Sequence, residues 1–525
     1  MRFRAFALRF LPVAVAAACL AVRTERGFFI DEYTTWRVAS LPPADMIRDR
    51  LSNGHFPTYF AIVAGWIRVA GDSVTAMRLP SLACALASVS VFHALARELL
   101  GRRAGLLAGL LFATHQLPLW AGQTARPYAM GLLATLLAAW GVARWWRADA
   151  DADADAAAAG RPRAWRWLAL GAAGSAATAA TQALGALPLA GMALALAPLA
   201  IGRRHDGGHA QRARARIAIA ALMVPMLAMS VPVAVLATRQ AKIQAPGNRP
   251  MRLPRVDGFL VAVGDNAFGR LEPWTGGAAR YAGAALFGGL VWAGGAAWRG
   301  GRRRRDDGAG GWASSPAARA GFPVRAVALG WFAAPPVAMA LTECVTRASL
   351  VAQSRYHIPG VPGAVLLTAM GLGALTANPA TRRLAAPAVA AAVIALQGAA
   401  TAAHWLSDGD GPRAVARAMA AAAPPGTPVL GDIHPLAYEF RAAPPPMTDL
   451  KDLPTTETRT RVVAALADGP AGAPGQLAWV FVYNNKPEKR AALEAVIAQP
   501  PAGRRASRRI DHADATAVLL VPVTR

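Results

Sequence analysis

FPTYFAIVAGWIRVAG, residues 56–71, decides how the chain is threaded. It is apolar enough to enter a membrane, yet a helix needs about 20 apolar residues to cross a hydrocarbon core of about 30 Å. The stretch has sixteen residues, with Arg68 near its end. Read as a span, it would place every later arginine cluster on the outer side. Read as a helix lying in the outer interface, it leaves those clusters on the cytoplasmic side, where loops rich in Lys and Arg belong.

On that second reading eleven spans are expected. They are 5–22, 78–100, 104–120, 128–146, 165–185, 186–201, 217–237, 278–298, 323–343, 357–376 and 384–405. The basic start with Arg2 and Arg4 and the small-residue region after it resemble a signal peptide. The segment is read instead as a retained first span that anchors the DEYTTW stretch beginning at Asp31. Arg97, Arg102 and Arg103, then Arg144 and Arg147, Arg203 to Arg216, the 299–307 run RGGRRRRDD, and Arg382 and Arg383 all fall inside. The chain of 525 residues is 54% hydrophobic with a formal charge of +26. The charge therefore orients loops and does not indicate nucleic acid, since apolar spans would bury most of any face able to bind it. Cys19, Cys84 and Cys344 are scattered and odd in number, which excludes a disulfide framework.

After the last span the composition turns to Pro and charge. TPVLGDI (427–433), LAWVFVY (477–483) and ATAVLLVPV (515–523) read as short buried strands. The segments 411–423, 456–468 and 487–499 read as amphipathic helices between them. The expectation is an α-helical polytopic membrane protein with about eleven transmembrane helices and one interfacial helix, residues 1–405. A small C-terminal α/β domain follows, residues 406–525.

Polar groups gather on the outer side of this threading. Asp31, Glu32 and Tyr33 follow the first span, and His55 opens the 56–71 stretch. Gln123, Arg126 and Tyr128 lie in AGQTARPY (121–128), and Arg355, Tyr356 and His357 in SRYHIPG (354–360). Lys242 and Glu272 belong to the long loop 238–276. Each has an ordinary explanation as solvated loop, aromatic belt or snorkelling cation. Their order is more specific. FFIDEYTTW, the block HFPTYFAIVAGWIRVAGDSVTAMRLPSLACAL (55–86), GRRAGLLAGLLFATHQLPLWAGQTARPYAM (101–130) and SRYHIPGVPGAVLL (354–367) together resemble the polyprenyl-phosphate-sugar-dependent GT-C glycosyltransferases. That group includes the protein O-mannosyltransferases, the lipid A aminoarabinose transferase and related bacterial core-glycan transferases. The chain departs from the group at Thr124, where relatives often carry an acidic residue.

The resemblance implies transfer of a sugar from a polyprenyl phosphate to an envelope glycan, lipid or protein at the periplasmic face of a bacterial inner membrane. It matches Asp31 to the family's catalytic aspartate, a general base for the acceptor, and leaves Glu32 a supporting role. One base and a single displacement favour inversion. Arg126 and Arg355, with Lys242, are the expected cations for the leaving phosphate. His55, Gln123, Tyr128, Tyr356 and His357 are the expected substrate contacts. No zinc-type ligand spacing occurs, and since some relatives bind a divalent metal and others do not, no metal is assigned. Two other readings share the polytopic architecture. A lipid-linked-sugar flippase would need charge at mid-membrane depth, and an O-antigen ligase or polymerase would rely on a large basic periplasmic loop. A third reading is a degenerate homologue serving as a scaffold: intact Asp31 argues against it, and Thr124, in place of the acidic residue, keeps it open.

Overall fold

A computed structural model describes residues 2–28, 30–154, 161–202, 208–229, 231, 232, 235, 256–270, 276–301, 315–346, 351, 353–406, 411–431, 433–449, 477–483, 487–500, 503–512 and 515–523. By packing, the chain divides into two compact units. One comprises Met1–Thr24, Leu41–Gly71 and Ala76–Leu406, and the other Glu25–Ser40, Asp72–Thr75 and Ser407–Arg525.

The first unit is helical. Its elements are α1 (Arg2–Ala21), α3 (Pro43–Ser52), α4 (Thr58–Ala70), α5 (Val74–Leu100), α6 (Arg102–Ala113), α7 (Gln116–Gly122), α8 (Tyr128–Ala154), α9 (Arg161–Thr181), α10 (Ala186–Ile201), α11 (Gly208–Ala228), α12 (Val256–Phe268), α13 (Gly276–Gly301), α14 (Val324–Thr346), α15 (Val361–Ala377) and α16 (Ala385–Leu406). The helix α2 (Ile30–Ala39) belongs to the other unit.

Helices stand at all eleven apolar stretches, but the expected count of eleven spans is corrected. Among the described residues five helices are long and apolar enough to cross a membrane, or six if the pair α6–α7, bent by 57°, forms one broken span. The shortfall has physical causes. The helix α10 has only sixteen residues. Arg161, Arg163 and Arg166 occupy the first turns of α9, and Arg212, Arg214 and Arg216 the first half of α11. Glycine-rich α13 loses apolar surface. The helix α4, the 56–71 segment, has thirteen residues and is among the shorter apolar helices.

Small residues let these helices approach closely, as they do where lipid supplies no hydrophobic drive between helices. At the α8–α9 crossing a Cβ on Gly174 would stand 2.5 Å from the Ala138 nitrogen and 2.9 Å from the Ala134 carbonyl oxygen. Both are backbone atoms and cannot swing aside.

The second unit carries a five-stranded sheet of order β2-β1-β3-β5-β4. The strands are β1 (Val429–Gly431), β2 (Met447–Asp449), β3 (Ala478–Tyr483), β4 (Arg504–His512) and β5 (Ala515–Pro522). β1 pairs in parallel with β2 and β3, whereas β5 runs antiparallel to β3 and β4. Side-chain alternation splits its core. Trp479, Phe481, Ala517 and Leu519 share one face with Val415 and Met419 of α17 (Gly411–Ala422) and Leu436 of α18 (Ile433–Glu439). Val480, Val518 and Leu520 share the other with Val496 of α19 (Pro487–Ala498). The strands expected at 427–433, 477–483 and 515–523 are present; β2 and β4 are additional. The helix expected at 456–468 lies outside the described residues.

Gly174→Val is expected to lower the thermal midpoint of the detergent-solubilised protein, because overpacking a tight crossing costs about 1–3 kcal/mol. Thermal unfolding checks this; an unchanged midpoint would contradict the close approach of α8 and α9.

Candidate functional site

The residues singled out in the sequence fall into two groups, one in each unit. In the second unit α2 presents Asp31 and Glu32 in its first turn, where the positive end of the helix dipole favours carboxylates. Asp31 is partly exposed, whereas Glu32 is only 1% exposed. The backbone carbonyl of Asp31 accepts from the Thr35 hydroxyl at 3.2 Å, an ordinary contact within the helix.

The ring of Tyr438 fixes this segment. It lies 4.5 Å from the ring of Phe28, 6.0 Å from Tyr33 and 5.3 Å from Trp36, centroid to centroid. The Arg441 guanidinium also stacks over this ring, 4.0 Å from its centroid. Burial first of all pushes the Tyr438 phenol up to about 12, so its hydroxyl stays a donor, and it donates to the Asp72 carbonyl at 3.0 Å. The Asp72 carboxylate accepts from the Trp36 indole at 3.0 Å and pairs with Arg441 at 3.3 Å. Next to Tyr438, the Glu439 carboxylate accepts from the Tyr33 hydroxyl at 3.2 Å and faces Arg413 at 3.7 Å. Burial raises the Glu439 carboxyl above its ordinary value, against the opposing pull of Arg413, Tyr33, Arg441 and Arg417.

In the first unit Arg126 lies just before α8 and is 9% exposed. Its guanidinium stands 5.8 Å from the centroid of Phe60, and that of Arg50, 3% exposed, stands 4.8 Å from the same ring. Arg50 also pairs with Asp49. The backbone at Arg126 is pinned: its carbonyl accepts from the Ser81 hydroxyl at 3.3 Å, and Ser81 shares a 2.7 Å hydrogen bond with the Tyr59 hydroxyl. Gln123 acts as a strut. Its amide nitrogen donates to the carbonyls of Leu20 and Val22 at 2.9 and 2.7 Å, and its oxygen meets His404 Nε2 at 2.8 Å. The Thr124 hydroxyl donates to the Trp120 carbonyl at 2.7 Å. Tyr128 packs against Trp120, 5.3 Å between rings. His55 is half-buried, its backbone nitrogen bonded to the Arg50 carbonyl at 2.9 Å.

Arg355 donates to Gln353 at 2.8 Å and lies over the Tyr356 ring at 5.2 Å. His357 is fully buried, with Nε2 2.7 Å from the Val351 carbonyl oxygen. The turn Ile358–Gly360 that follows packs against α7 and α8. The fold therefore brings the SRYH segment next to the elements that hold Gln123 and Arg126. Lys242 and Glu272 lie outside the described residues.

Neither a protein-family model nor a curated protein matches the sequence. Solved structures do match it in shape. The apo structure of ArnT from Cupriavidus metallidurans superposes with a TM-score of 0.56 at 14% identity, covering 98% of both chains. The same protein bound to undecaprenyl phosphate gives 0.53 at 14% identity and 97% of both chains. The archaeal oligosaccharyltransferase AglB from Archaeoglobus fulgidus, in complex with an inhibitory peptide and a dolichol-phosphate, gives 0.53 at 12% identity, covering 94% of this chain and 71% of that one. The chain has the GT-C fold.

Within that GT-C frame Arg50, Phe60, Asp72, Tyr438 and Glu439 are residues that sequence reasoning did not single out. Arg50 and Phe60 fall within or beside the block that carries the resemblance, yet nothing in their local spacing announces a shared ring. Tyr438 and Asp72 meet across more than 360 residues of chain. Among the described residues no group of three or more His, Cys, Asp or Glu stands together in a way that could hold a metal ion.

The raised Glu439 carboxyl has a definite pH consequence. A group whose folded value exceeds its unfolded value contributes stability that is complete below the unfolded value and is lost as pH rises through the folded one. Relative to Glu439→Gln, the wild type is expected to lose stability as pH climbs from below 4.5 through the raised value. Thermal unfolding of both proteins across pH measures this; parallel profiles would contradict the burial of that carboxyl.

Proposed function

We propose that the chain is a membrane glycosyltransferase that moves a sugar from a polyprenyl phosphate to an envelope acceptor, a glycan, lipid or protein. The observation that carries this reading is the buried pair of guanidiniums, Arg50 and Arg126, on the two contacts of one Phe60 ring. Two preorganised cations beside an apolar ring suit a phosphate attached to a hydrocarbon tail. The solved proteins of similar fold hold such lipids, undecaprenyl phosphate in one case and dolichol-phosphate in the other.

The reaction follows from the chemistry of the groups. The acceptor oxygen or nitrogen attacks the anomeric carbon, and the bond from that carbon to the phosphate oxygen breaks. The electron pair leaves with the polyprenyl phosphate, whose growing charge Arg126 and Arg355 stabilise, assisted by Arg50. The acceptor proton passes to the Asp31 carboxylate. Asp31 suits this role better than Glu32 because it is partly exposed and can meet an acceptor from water, whereas Glu32 is buried and supports the turn. A single base and direct displacement give inversion at the anomeric carbon. His55, Tyr128, Tyr356 and His357 line the neighbouring segments and serve as substrate contacts; Lys242 is a further candidate cation. Gln123 contributes by bracing the end of α1. The basic clusters orient the chain in a bacterial inner membrane, with the N-terminus cytoplasmic and the acidic helix and C-terminal unit periplasmic.

Purified protein in detergent, offered a panel of polyprenyl-phosphate sugars with an acceptor extract, is expected to release polyprenyl phosphate. Asp31→Asn is expected to lower that rate by about 10²–10⁴-fold, the usual contribution of a general base. Arg126→Ala is expected to weaken donor use as well. Equal release by wild type and Asp31→Asn would remove Asp31 as the base. No release with any donor, together with donor movement between leaflets in proteoliposomes, would replace the transferase with a flippase.

A further inference from the structure

A pocket of about 370 Å³ opens in the second unit, lined entirely by residues of that unit. The volume is at the lower end of those that hold small ligands. Three arginines line it: Arg413 and Arg417 from α17, and Arg441 just beyond α18. Tyr438, Glu439 and Glu25 line it as well, together with Ser73, Val74 and Thr75. The reaction proposed above uses none of these groups.

Three guanidiniums share the lining with two carboxylates, Glu25 and Glu439, which leaves a net positive charge that favours an anion. Glu439 is occupied by the Tyr33 hydroxyl at 3.2 Å and by Arg413 at 3.7 Å. Arg413 also donates to the Glu25 carbonyl at 2.8 Å, which orders its guanidinium. Arg441 is held by the Tyr438 carbonyl at 3.0 Å and by Asp72 at 3.3 Å, with its plane over the Tyr438 ring. Arg417 is exposed at the mouth. Two guanidiniums are thus preorganised by these contacts, and a third is free to swing onto whatever enters. A guanidinium offers parallel donors that match two oxygens of one oxyanion. Three around one cavity suit a dianion better than a lone carboxylate.

We infer that this pocket is a second ligand site of the chain, one that binds a phosphate monoester through Arg413, Arg417 and Arg441. Tyr438, which lines the pocket, carries the ring against which Phe28, Tyr33 and Trp36 pack. Occupancy therefore tightens the mount of α2, the helix with Asp31. The binding claim does not rest on the transferase reading; only the consequence for turnover does.

The test uses the full chain in detergent, with Arg126→Ala as the background to weaken phosphate binding at the proposed donor site; the Arg417 and Glu439 variants then assign the remaining signal to the pocket. Isothermal titration with glycerol 3-phosphate is one arm, and with dimyristoyl phosphatidic acid in mixed micelles the other. Saturable binding is expected. Arg417→Ala is expected to weaken it about tenfold, the worth of one charge-assisted hydrogen bond, and Arg417→Lys to restore part of it. Glu439→Gln keeps an acceptor for Tyr33 while removing a negative charge, and is expected to tighten binding. Thermal unfolding of each variant separates these effects from misfolding, and exposed Arg417 is the substitution least able to disturb the fold. Binding in both arms identifies the phosphate group as sufficient. Binding only of phosphatidic acid identifies a lipid headgroup as the source, and binding only of glycerol 3-phosphate a soluble one. No binding in either arm, or binding that neither Arg417→Ala nor Glu439→Gln alters, would overturn the site. Donor turnover measured on the same proteins without the Arg126 change reports on the transferase reading separately.

Discussion

The ring of Tyr438 is the contact on which the acidic helix depends. Three aromatic side chains from one short segment, Phe28, Tyr33 and Trp36, pack on it, and Arg441 also stacks over it. Such aromatic pairs contribute about 0.5–1.5 kcal/mol each beyond their buried area. Asp72 completes the arrangement, because its carbonyl takes the Tyr438 hydroxyl while its carboxylate takes Trp36 and Arg441. A ten-residue helix would be marginal alone in water. Anchored through Tyr33 and Trp36, and by Phe28 just before its start, it can hold a carboxylate at a fixed place, which is what a general base requires.

The helical unit solves a different problem. Its polar groups are deep, so each must be satisfied by the fold. Gln123 bonds the last carbonyls of α1 and meets His404 of α16. Arg78, 1% exposed, donates to the Thr24 carbonyl at the same end. Elsewhere in the unit Arg280 grips both oxygens of buried Asp265 at 3.1 and 2.7 Å. These bonds use polar side chains to brace the fold, which leaves Arg126 and Arg50, beside Phe60, as the cations to which phosphate binding is assigned in the proposed function.

Much of the helical unit was legible because apolar length and arginine clusters are local signals. Every expected span became a helix, but among the described residues length and composition together pass only five of the eleven, or six with the bent pair. Sequence patterning finds helices more readily than it decides which ones cross a membrane, since Gly-rich α13 and Arg-led α9 look apolar only in part. In the sheet, β3 and β5 announced themselves as continuous apolar runs, as strands buried on both faces do. The edge strand β4 did not: RRASRRIDH is mostly exposed, and its arginines protect an open edge instead of filling a core. β2 has only three residues. Among the candidate residues, Asp31, Arg126 and Arg355 were picked out through motif resemblance. Tyr438 was not, because an aromatic contact between residues 33 and 438 leaves no spacing to read. Gln123 was visible, but its work as a strut depends on carbonyls about a hundred residues earlier.

The central claim is that Tyr438 holds the helix on which the proposed base is carried. It is tested most directly by measuring donor affinity and turnover separately for Tyr438→Ala. The account predicts a fall in kcat with the Kd for polyprenyl-phosphate sugar unchanged, since the donor cations are on other elements. Unchanged kcat, or an equal loss of donor binding, would contradict it.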